Sequence, residues 1–204
     1  YVITGQAFLK GRRLEDVIAA AIRGGADTVQ LREKDFNGRE LLASGHLLRR
    51  VTRDLGARLI VNDRIDVAKA VDADGVHLGQ NDLPIEVARA ILGPDKLVGL
   101  STHNVEEAVA AERAGANYIG LGPMKPTTTK LDTEPVVGPI GVREVRRHVR
   151  LPIVAIGGIK QEDVAEIIRS GANAVAIISA IVGSDDVEAA ARNIRNIVDE
   201  ERGN

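Results

Sequence analysis

The chain of 204 residues contains no cysteine and no tryptophan, and only two tyrosines and two phenylalanines. Without cysteine, neither a disulfide framework nor a thiolate metal site can form, which fits a reducing, cytoplasmic location. The aromatic residues are too few to build a stacking surface for single-stranded nucleic acid. Because 27 basic residues face 29 acidic ones, the net charge of −2 creates no field that attracts nucleic acid or an anionic membrane.

Long apolar runs are also lacking, since no stretch approaches the roughly 18 residues that span a bilayer. The hydrophobic content of 44% is still sufficient for one sizeable core, so we expect a single domain over residues 1–204. The chain starts at Tyr1 rather than at a methionine, which leaves a removed leader open. Either a monomer or a homo-oligomer is compatible with the sequence.

Strand and helix patterns alternate along the whole chain. Short apolar runs predict eight strands, at residues 1–4, 28–31, 58–61, 75–78, 97–100, 118–121, 153–156 and 174–178. Helical patterns follow them at residues 14–23, 39–55, 65–71, 84–92, 105–114, 140–148, 161–170 and 187–201. The strands are apolar enough to be covered on both faces, which predicts a parallel sheet.

An internal repeat indicates that this sheet is closed. A corner of small residues ending in Asp or Asn leads into every second strand, at Asp27, Asp74, Asn117 and Asn173. These residues are 47, 43 and 56 apart (74−27, 117−74, 173−117), which is the length of two strand–helix units. Such alternation is expected in an eight-stranded barrel, whose interior layers are filled by alternate strands. The edge strands of an open sheet would break it. The sequence therefore predicts an α/β fold, a (β/α)8 TIM barrel.

Reactive groups of such a barrel lie at the carboxyl ends of the strands and in the loops that follow. After the second strand, a period of two places Gln30, Arg32 and Lys34 on one side, so that two cations point at the mouth. Asp63 and Asp82 end neighbouring strands and can reach one hard cation, as Mg²⁺ is held beside substrate phosphates. Alternatively, the charged segment after the second strand is a solvated surface run, and Asp63 and Asp82 are helix caps.

Two segments predict anion sites. The stretch Y-I-G-L-G-P-M-K-P-T-T-T-K (118–130) ends a buried strand with Gly and Pro, and then offers threonine hydroxyls, loop N–H groups and Lys130 to a phosphate. It can also be read as a polar surface loop. Gly158, in a glycine turn before a predicted helix, and Ser179 follow the last two strands, where barrel enzymes grip phosphate. His103 is expected to be structural, with Asn104 as the helix N-cap.

In combination these residues resemble the thiamine-phosphate synthase family. The resemblance runs from Tyr1 to about Gly183 through Q-L-R-E-K, V-N-D-R-I-D-V-A, D-G-V-H-L-G-Q-N-D-L-P, S-T-H, G-P-M-K-P-T-T-T-K, and A-I-G-G-I followed by I-S-A-I. It implies a transferase that joins 4-amino-5-hydroxymethyl-2-methylpyrimidine diphosphate to 4-methyl-5-(2-phosphoethyl)thiazole, giving thiamine phosphate and pyrophosphate. The diphosphate would leave first, and the thiazole nitrogen would capture the resulting pyrimidine cation.

The resemblance also implies a role for each site residue. The pyrimidine diphosphate would be bound by Gln30, Leu31, Arg32, Glu33, Lys34, Asn62, Ser101 and Lys130. The thiazole phosphate would be bound by Thr127, Thr128, Thr129, Gly158, Ile178 and Ser179. Asp63 and Asp82 would hold Mg²⁺, and Arg32, Lys34, Lys130 and Ser101 would act in catalysis. Lys125 and Gly5 depart from the family's usual pattern, which has an aromatic or apolar residue and an Asp at these positions.

Three other functions are compatible with a phosphate-gripping barrel. A related thiazole tautomerase would use His103 for proton transfer but needs no diphosphate site. A sugar-phosphate isomerase or epimerase would need an acid–base pair in the mouth, for which two metal-binding aspartates are a poor substitute. A non-catalytic regulator that binds thiazole phosphate would look the same in sequence.

Overall fold

Eight parallel strands follow one another around a barrel, in a computed structural model that describes residues 1–126 and 135–203. The strands β1–β8 are Val2–Ile3, Thr28–Leu31, Arg58–Asn62, Gly75–Leu78, Leu97–Thr102, Tyr118–Leu121, Ile153–Ile156 and Ala174–Ala176. A parallel bridge between Val2 and Ile177 joins the last strand to the first, with the Ile3 N–H donating to the Ile177 carbonyl at 3.0 Å. The predicted TIM barrel is confirmed.

Helices cover the outside of the barrel. The helices α1–α9 are Leu14–Arg23, Gly38–Leu55, Ile65–Ala70, Ile85–Leu92, Val105–Arg113, Gly138–His148, Val164–Arg169, Ser179–Val182 and Val187–Gly203. The short α8 was not predicted, because four residues carry no usable periodicity. The helix predicted at 161–170 is a 3₁₀ turn, Gln161–Asp163, followed by α7. In the part of the chain that the structure describes, no helix is long and apolar enough to cross a membrane.

The alternating direction of strand side chains divides the apolar residues into two clusters. The larger lies between the outer faces of the strands and the helices, and includes Leu31, Val61 and Ile119. The smaller fills the barrel interior, with Ile3, Tyr118, Val154 and Ala176 at its centre. Parallel strands buried on both faces explain why each strand reads as an almost unbroken apolar run.

The repeated Asp/Asn corner fastens neighbouring strands at the amino end of the barrel. In three of the four copies, its side-chain oxygen accepts a hydrogen bond from a backbone N–H at the start of the preceding strand. The pairs are Asp74 with Leu59 at 2.7 Å, Asn117 with Val98 at 2.8 Å, and Asn173 with Ile153 at 2.9 Å. Asp27 instead accepts from the Thr28 hydroxyl at 2.9 Å. The repeat is therefore structural, and it lies at the end opposite the expected site.

Asn117→Ala is expected to destabilise the fold without changing turnover. The substitution removes the acceptor of the Val98 N–H and of the Arg89 guanidinium, which donates to Asn117 Oδ1 at 2.7 Å. Leaving a buried N–H unpaired costs about 1–3 kcal/mol. In thermal unfolding this should lower Tm by about 2–4 °C per kcal/mol. Asn193→Ala, on the exposed face of α9, is the matched control; an equal fall in Tm for both variants would contradict the fastening role.

Candidate active site

A cavity of about 750 Å³ opens at the carboxyl ends of the strands, and every strand or the segment next to it contributes to its wall. Its size suits a small-molecule ligand. Most of the residues predicted for the site line it, namely Gln30, Arg32, Lys34, Asn62, Asp63, Asp82, Ser101, Gly158, Ile178 and Ser179. Thr127, Thr128, Thr129 and Lys130 lie outside the described residues.

The segment after β2 follows the predicted period of two. Gln30, Arg32 and Lys34 line the cavity, whereas Leu31 and Glu33 do not. Leu31 is 1% exposed and packs in the outer apolar cluster, and the Glu33 carboxylate accepts the Gln6 N–H at 3.1 Å. A substrate contact of Leu31 or Glu33 would therefore involve the backbone rather than the side chain.

Arg32 and Lys34 are available to an anionic ligand. Neither side chain forms a salt bridge within residues 1–126 and 135–203. The backbone of Arg32 is held by Thr4, whose hydroxyl accepts the Arg32 N–H at 2.9 Å. In this part of the chain neither cation is taken up by a salt bridge, so both side chains are free to bind the oxygens of a diphosphate.

Asp63 and Asp82 meet at the ends of β3 and β4. Burial, a hydrogen bond with Asp82 and the negative charge of Asp82 raise the pKa of Asp63 to about 6, against the smaller opposing effect of Arg32 and Lys34. The two carboxyl groups are thus close enough to need a shared proton or cation between them. Neighbouring carboxylates are the hard oxygen donors that magnesium prefers. No third Asp, Glu or His joins them as a metal cluster in the described part of the chain, so substrate oxygens and water would complete the coordination.

Helix capping does not explain the two aspartates. The helix α3 begins after Arg64 and α4 after Pro84, and neither N-cap has a side-chain capping bond. Asp63 has a φ of 60°, in the left-handed region that Asn and Asp tolerate better than most residues. Its N–H donates to the His77 carbonyl at 2.8 Å, and the Asp82 carboxylate accepts the Gly79 N–H at 2.6 Å.

The glycine turn after β7 lies across the barrel from the two aspartates. Gly157 and Gly158 have φ values of 97° and 68°, and a Cβ on Gly158 would lie 2.9 Å from the Pro126 carbonyl oxygen. The turn does not lead directly into an α-helix as predicted, because α7 begins only at Val164. Ser179, in contrast, is the first residue of α8. The turn and Ser179 line the same cavity.

The two departures from the family pattern have structural partners. Lys125 does not line the cavity but forms an ion pair with Asp163, beyond the glycine turn. The Lys125 N–H donates to the Gly157 carbonyl at 3.0 Å, so backbone and side chain both attach this segment to the β7 side. At Gly5, a Cβ would come within 2.9 Å of the Phe8 ring, which favours glycine there.

Polar residues beneath the cavity were missed in the sequence. Tyr1, His77 and Tyr118 line it from below, and the Tyr118 hydroxyl lies 3.1 Å from both the Tyr1 hydroxyl and His77 Nδ1. Tyr118 reads in sequence only as an apolar strand residue, and His77 only as part of a motif. The signal that could have shown them is the period of two, which sends both side chains inward.

His103 also borders the cavity and is held by Glu107. Its Nδ1 lies 2.9 Å from the Glu107 carboxylate, which also accepts the His103 backbone N–H at 2.9 Å. Asn104 caps α5 by accepting the Glu107 N–H at 2.9 Å, as predicted. His103 is therefore firmly oriented, in keeping with the structural role expected for it.

Within the described residues, the site combines two cations that form no salt bridge, a carboxylate pair and a glycine turn at the mouth of one barrel, an arrangement typical of barrels that bind phosphorylated small molecules. The sequence profile described as thiamine monophosphate synthase matches residues 1–181. This chain belongs to that family.

Individual members of the family are similar to this chain over almost its full length. The thiamine-phosphate synthase of Chloroflexus aurantiacus is 51% identical over 97% of this chain and 91% of its own. That of Shouchella clausii is 48% identical over 98% and 96%. The solved thiamine phosphate pyrophosphorylase of Pyrococcus furiosus superposes with a TM-score of 0.91 at 41% identity, covering 98% of this chain and 95% of that one.

Proposed function

We propose that this chain is a thiamine-phosphate synthase, acting in the cytoplasm on two small-molecule substrates. It would join the pyrimidine diphosphate to the thiazole phosphate and release pyrophosphate. The observation that carries the proposal is the placement of Arg32 and Lys34 beside the pair Asp63 and Asp82 in one cavity. Full-length similarity to enzymes of that name supports it.

The leaving diphosphate requires positive charge more than it requires a base. Arg32 and Lys34 hold the diphosphate and stabilise the charge that develops as it departs. Asp63 and Asp82 would hold Mg²⁺, which supplies further positive charge to the phosphate oxygens. Ser101 offers a hydroxyl to the same substrate. The thiazole nitrogen is itself the nucleophile, so the reaction requires no nucleophilic side chain.

The acceptor substrate would be held on the other side of the cavity. Gly158, Ile178 and Ser179 border the space where a phosphate can accept backbone and hydroxyl hydrogen bonds. The assignments of Thr127–Thr129 and Lys130 to substrate rest on the family resemblance.

One assay tests the proposal. Purified protein is incubated with both substrates, with Mg²⁺ or with a chelator, and thiamine phosphate is measured; product only with Mg²⁺ is the expected result. Binding of thiazole phosphate without product would indicate the non-catalytic regulator. Interconversion of thiazole isomers without condensation would indicate the tautomerase.

Magnesium binding is expected to weaken below about pH 6, because the proton on Asp63 then competes with the cation. The raised pKa also means that this group stabilises the metal-free fold at low pH, and that this contribution is lost as the pH rises through about 6. The rise in Tm on adding Mg²⁺ should therefore be larger at pH 8 than at pH 5. In Asp63→Asn this pH dependence should disappear; an equal rise at both pH values in the wild type would contradict the assignment.

A further inference from the structure

A continuous line of hydrogen bonds crosses the barrel interior beneath the cavity. Gln30 Nε2 donates to the Tyr1 hydroxyl at 2.8 Å, and that hydroxyl lies 3.1 Å from the Tyr118 hydroxyl. Tyr118 lies 3.1 Å from His77 Nδ1, and His77 Nε2 lies 3.0 Å from Ser101 Oγ. The line thus connects a buried amide on β2 with a hydroxyl at the cavity wall on β5.

The barrel makes room for the two rings in the middle of this line. A Cβ on Gly99 would lie 2.1 Å from Tyr118 Cζ, and a Cβ on Gly120 would lie 2.9 Å from His77 Cε1. Glycine within a strand has a conformational cost and often marks a close approach of another group. Glycine at these positions of β5 and β6 therefore leaves the space that the rings of Tyr118 and His77 occupy.

The direction of the hydrogen bonds follows from the groups at the start of the line. Burial raises the pKa of Tyr1 to about 12 and that of Tyr118 well above its usual value, so each phenol keeps one hydrogen. Gln30 donates to the Tyr1 oxygen, and within the described residues the other side-chain partner of the Tyr1 hydroxyl is Tyr118. The direction that continues from Gln30 has Tyr1 donating to Tyr118 and Tyr118 donating to His77 Nδ1. With that direction of donation, the ring nitrogen that carries the proton is Nε2, which lies 3.0 Å from Ser101 Oγ.

We propose that His77, held as the Nε2–H tautomer by Tyr118, is a positioning residue that turns the Ser101 hydroxyl hydrogen toward the bound diphosphate. Ser101 Oγ accepts from His77, so its own hydrogen cannot return to that ring and is directed at an acceptor in the cavity. A diphosphate oxygen that gains charge during departure is such an acceptor. This inference rests on the proposed function, which places the diphosphate at Ser101.

The tautomer can be measured without any substrate. Nitrogen-15 NMR of ring-labelled protein distinguishes protonated from unprotonated ring nitrogens, and the signals of His77 among the four histidines are those lost in His77→Asn. The expected result is a protonated Nε2 and an unprotonated Nδ1, with the preference lost in Tyr118→Phe. A proton on Nδ1 would overturn the inference, because Ser101 would then donate to His77 instead of to substrate.

Single-turnover kinetics test the role in the reaction. Tyr118→Phe is expected to slow the chemical step about tenfold, the equivalent of one hydrogen bond, with KM for the pyrimidine diphosphate little changed. In a Ser101→Ala background the same substitution should have no further effect, because Tyr118 acts through Ser101. An equal loss in both backgrounds would show that Tyr118 acts only through the packing of the barrel.

A matched control separates this role from the general loss of a buried hydroxyl. Thr52→Val removes the fully buried hydroxyl that bonds the Arg49 carbonyl at 3.2 Å in α2, and should leave the single-turnover rate unchanged. If the wild-type protein forms no thiamine phosphate, the proposed function fails and the role of Ser101 fails with it. If it is active and His77 carries its proton on Nδ1, only the present inference fails.

Discussion

Asp63→Asn is expected to lower kcat/KM by about 10²-fold or more, the usual effect of removing one preorganised electrostatic group. The substitution removes the negative charge that would hold the cation beside the diphosphate, and leaves Asp82 with a neutral partner. Asparagine is preferable to alanine because it tolerates the left-handed backbone of residue 63, where φ is 60°. The measurement is steady-state formation of thiamine phosphate across a range of Mg²⁺ concentrations.

Asp66→Asn provides the control for Asp63→Asn. Asp66 lies three residues further along the same loop and helix start, but its carboxylate pairs with Arg64 at 2.6 Å outside the cavity. Its loss should leave kcat/KM within about twofold of wild type, since exposed ion pairs contribute little. Normal turnover and normal magnesium dependence in Asp63→Asn would remove the metal site from the proposal.

Arg32→Ala is expected to reduce kcat/KM by about 10²–10³-fold, because it deletes a planar donor that can bind two phosphate oxygens at once. Arg32→Lys restores the charge but not the paired donors, so it should recover only part of the activity. Both substitutions leave the backbone bond to the Thr4 hydroxyl in place, and thus keep the strand end fixed. In both variants the rate of product formation and the inhibition by added pyrophosphate should decrease together, because both depend on binding of the diphosphate group.

Arg58→Ala is the matched control for Arg32. Arg58 is an exposed arginine at the amino end of β3, remote from the cavity. Activity that falls equally in both variants would indicate a general effect of lost charge or lost stability. Activity unaffected in Arg32→Ala would contradict the diphosphate assignment directly.

Local periodicity was sufficient to predict much of the fold and one half of the site. Gln30, Arg32 and Lys34 share a face because strand geometry repeats every two residues, whatever the tertiary context. Asp63 and Asp82 meet because the carboxyl ends of neighbouring parallel strands lie at one rim. By the same rule the side chains of Leu31 and Glu33 face away from the cavity, although the motif resemblance had included them.

Contacts across the barrel interior could not be predicted in this way. His77 and Tyr118 come from β4 and β6, and Tyr1 directly precedes β1, so their meeting depends on strand tilt and register around the closed sheet. The glycines that make room for the rings, Gly99 and Gly120, are also ordinary strand residues when read alone. The Asp/Asn corner repeat predicted the right fold, but the physical reason differs from the expected one. The repeat was attributed to the filling of the barrel interior by alternate strands, whereas in the structure its side chains fasten the amino ends of neighbouring strands.

Both tyrosines of the chain, Tyr1 and Tyr118, border the cavity, and the chain contains no tryptophan. The near-ultraviolet absorbance and the intrinsic fluorescence of the protein are therefore dominated by two chromophores within reach of a ligand. Titration with pyrophosphate or with either substrate should give an optical signal without any attached label. The two tyrosines thus serve as intrinsic optical probes of ligand binding.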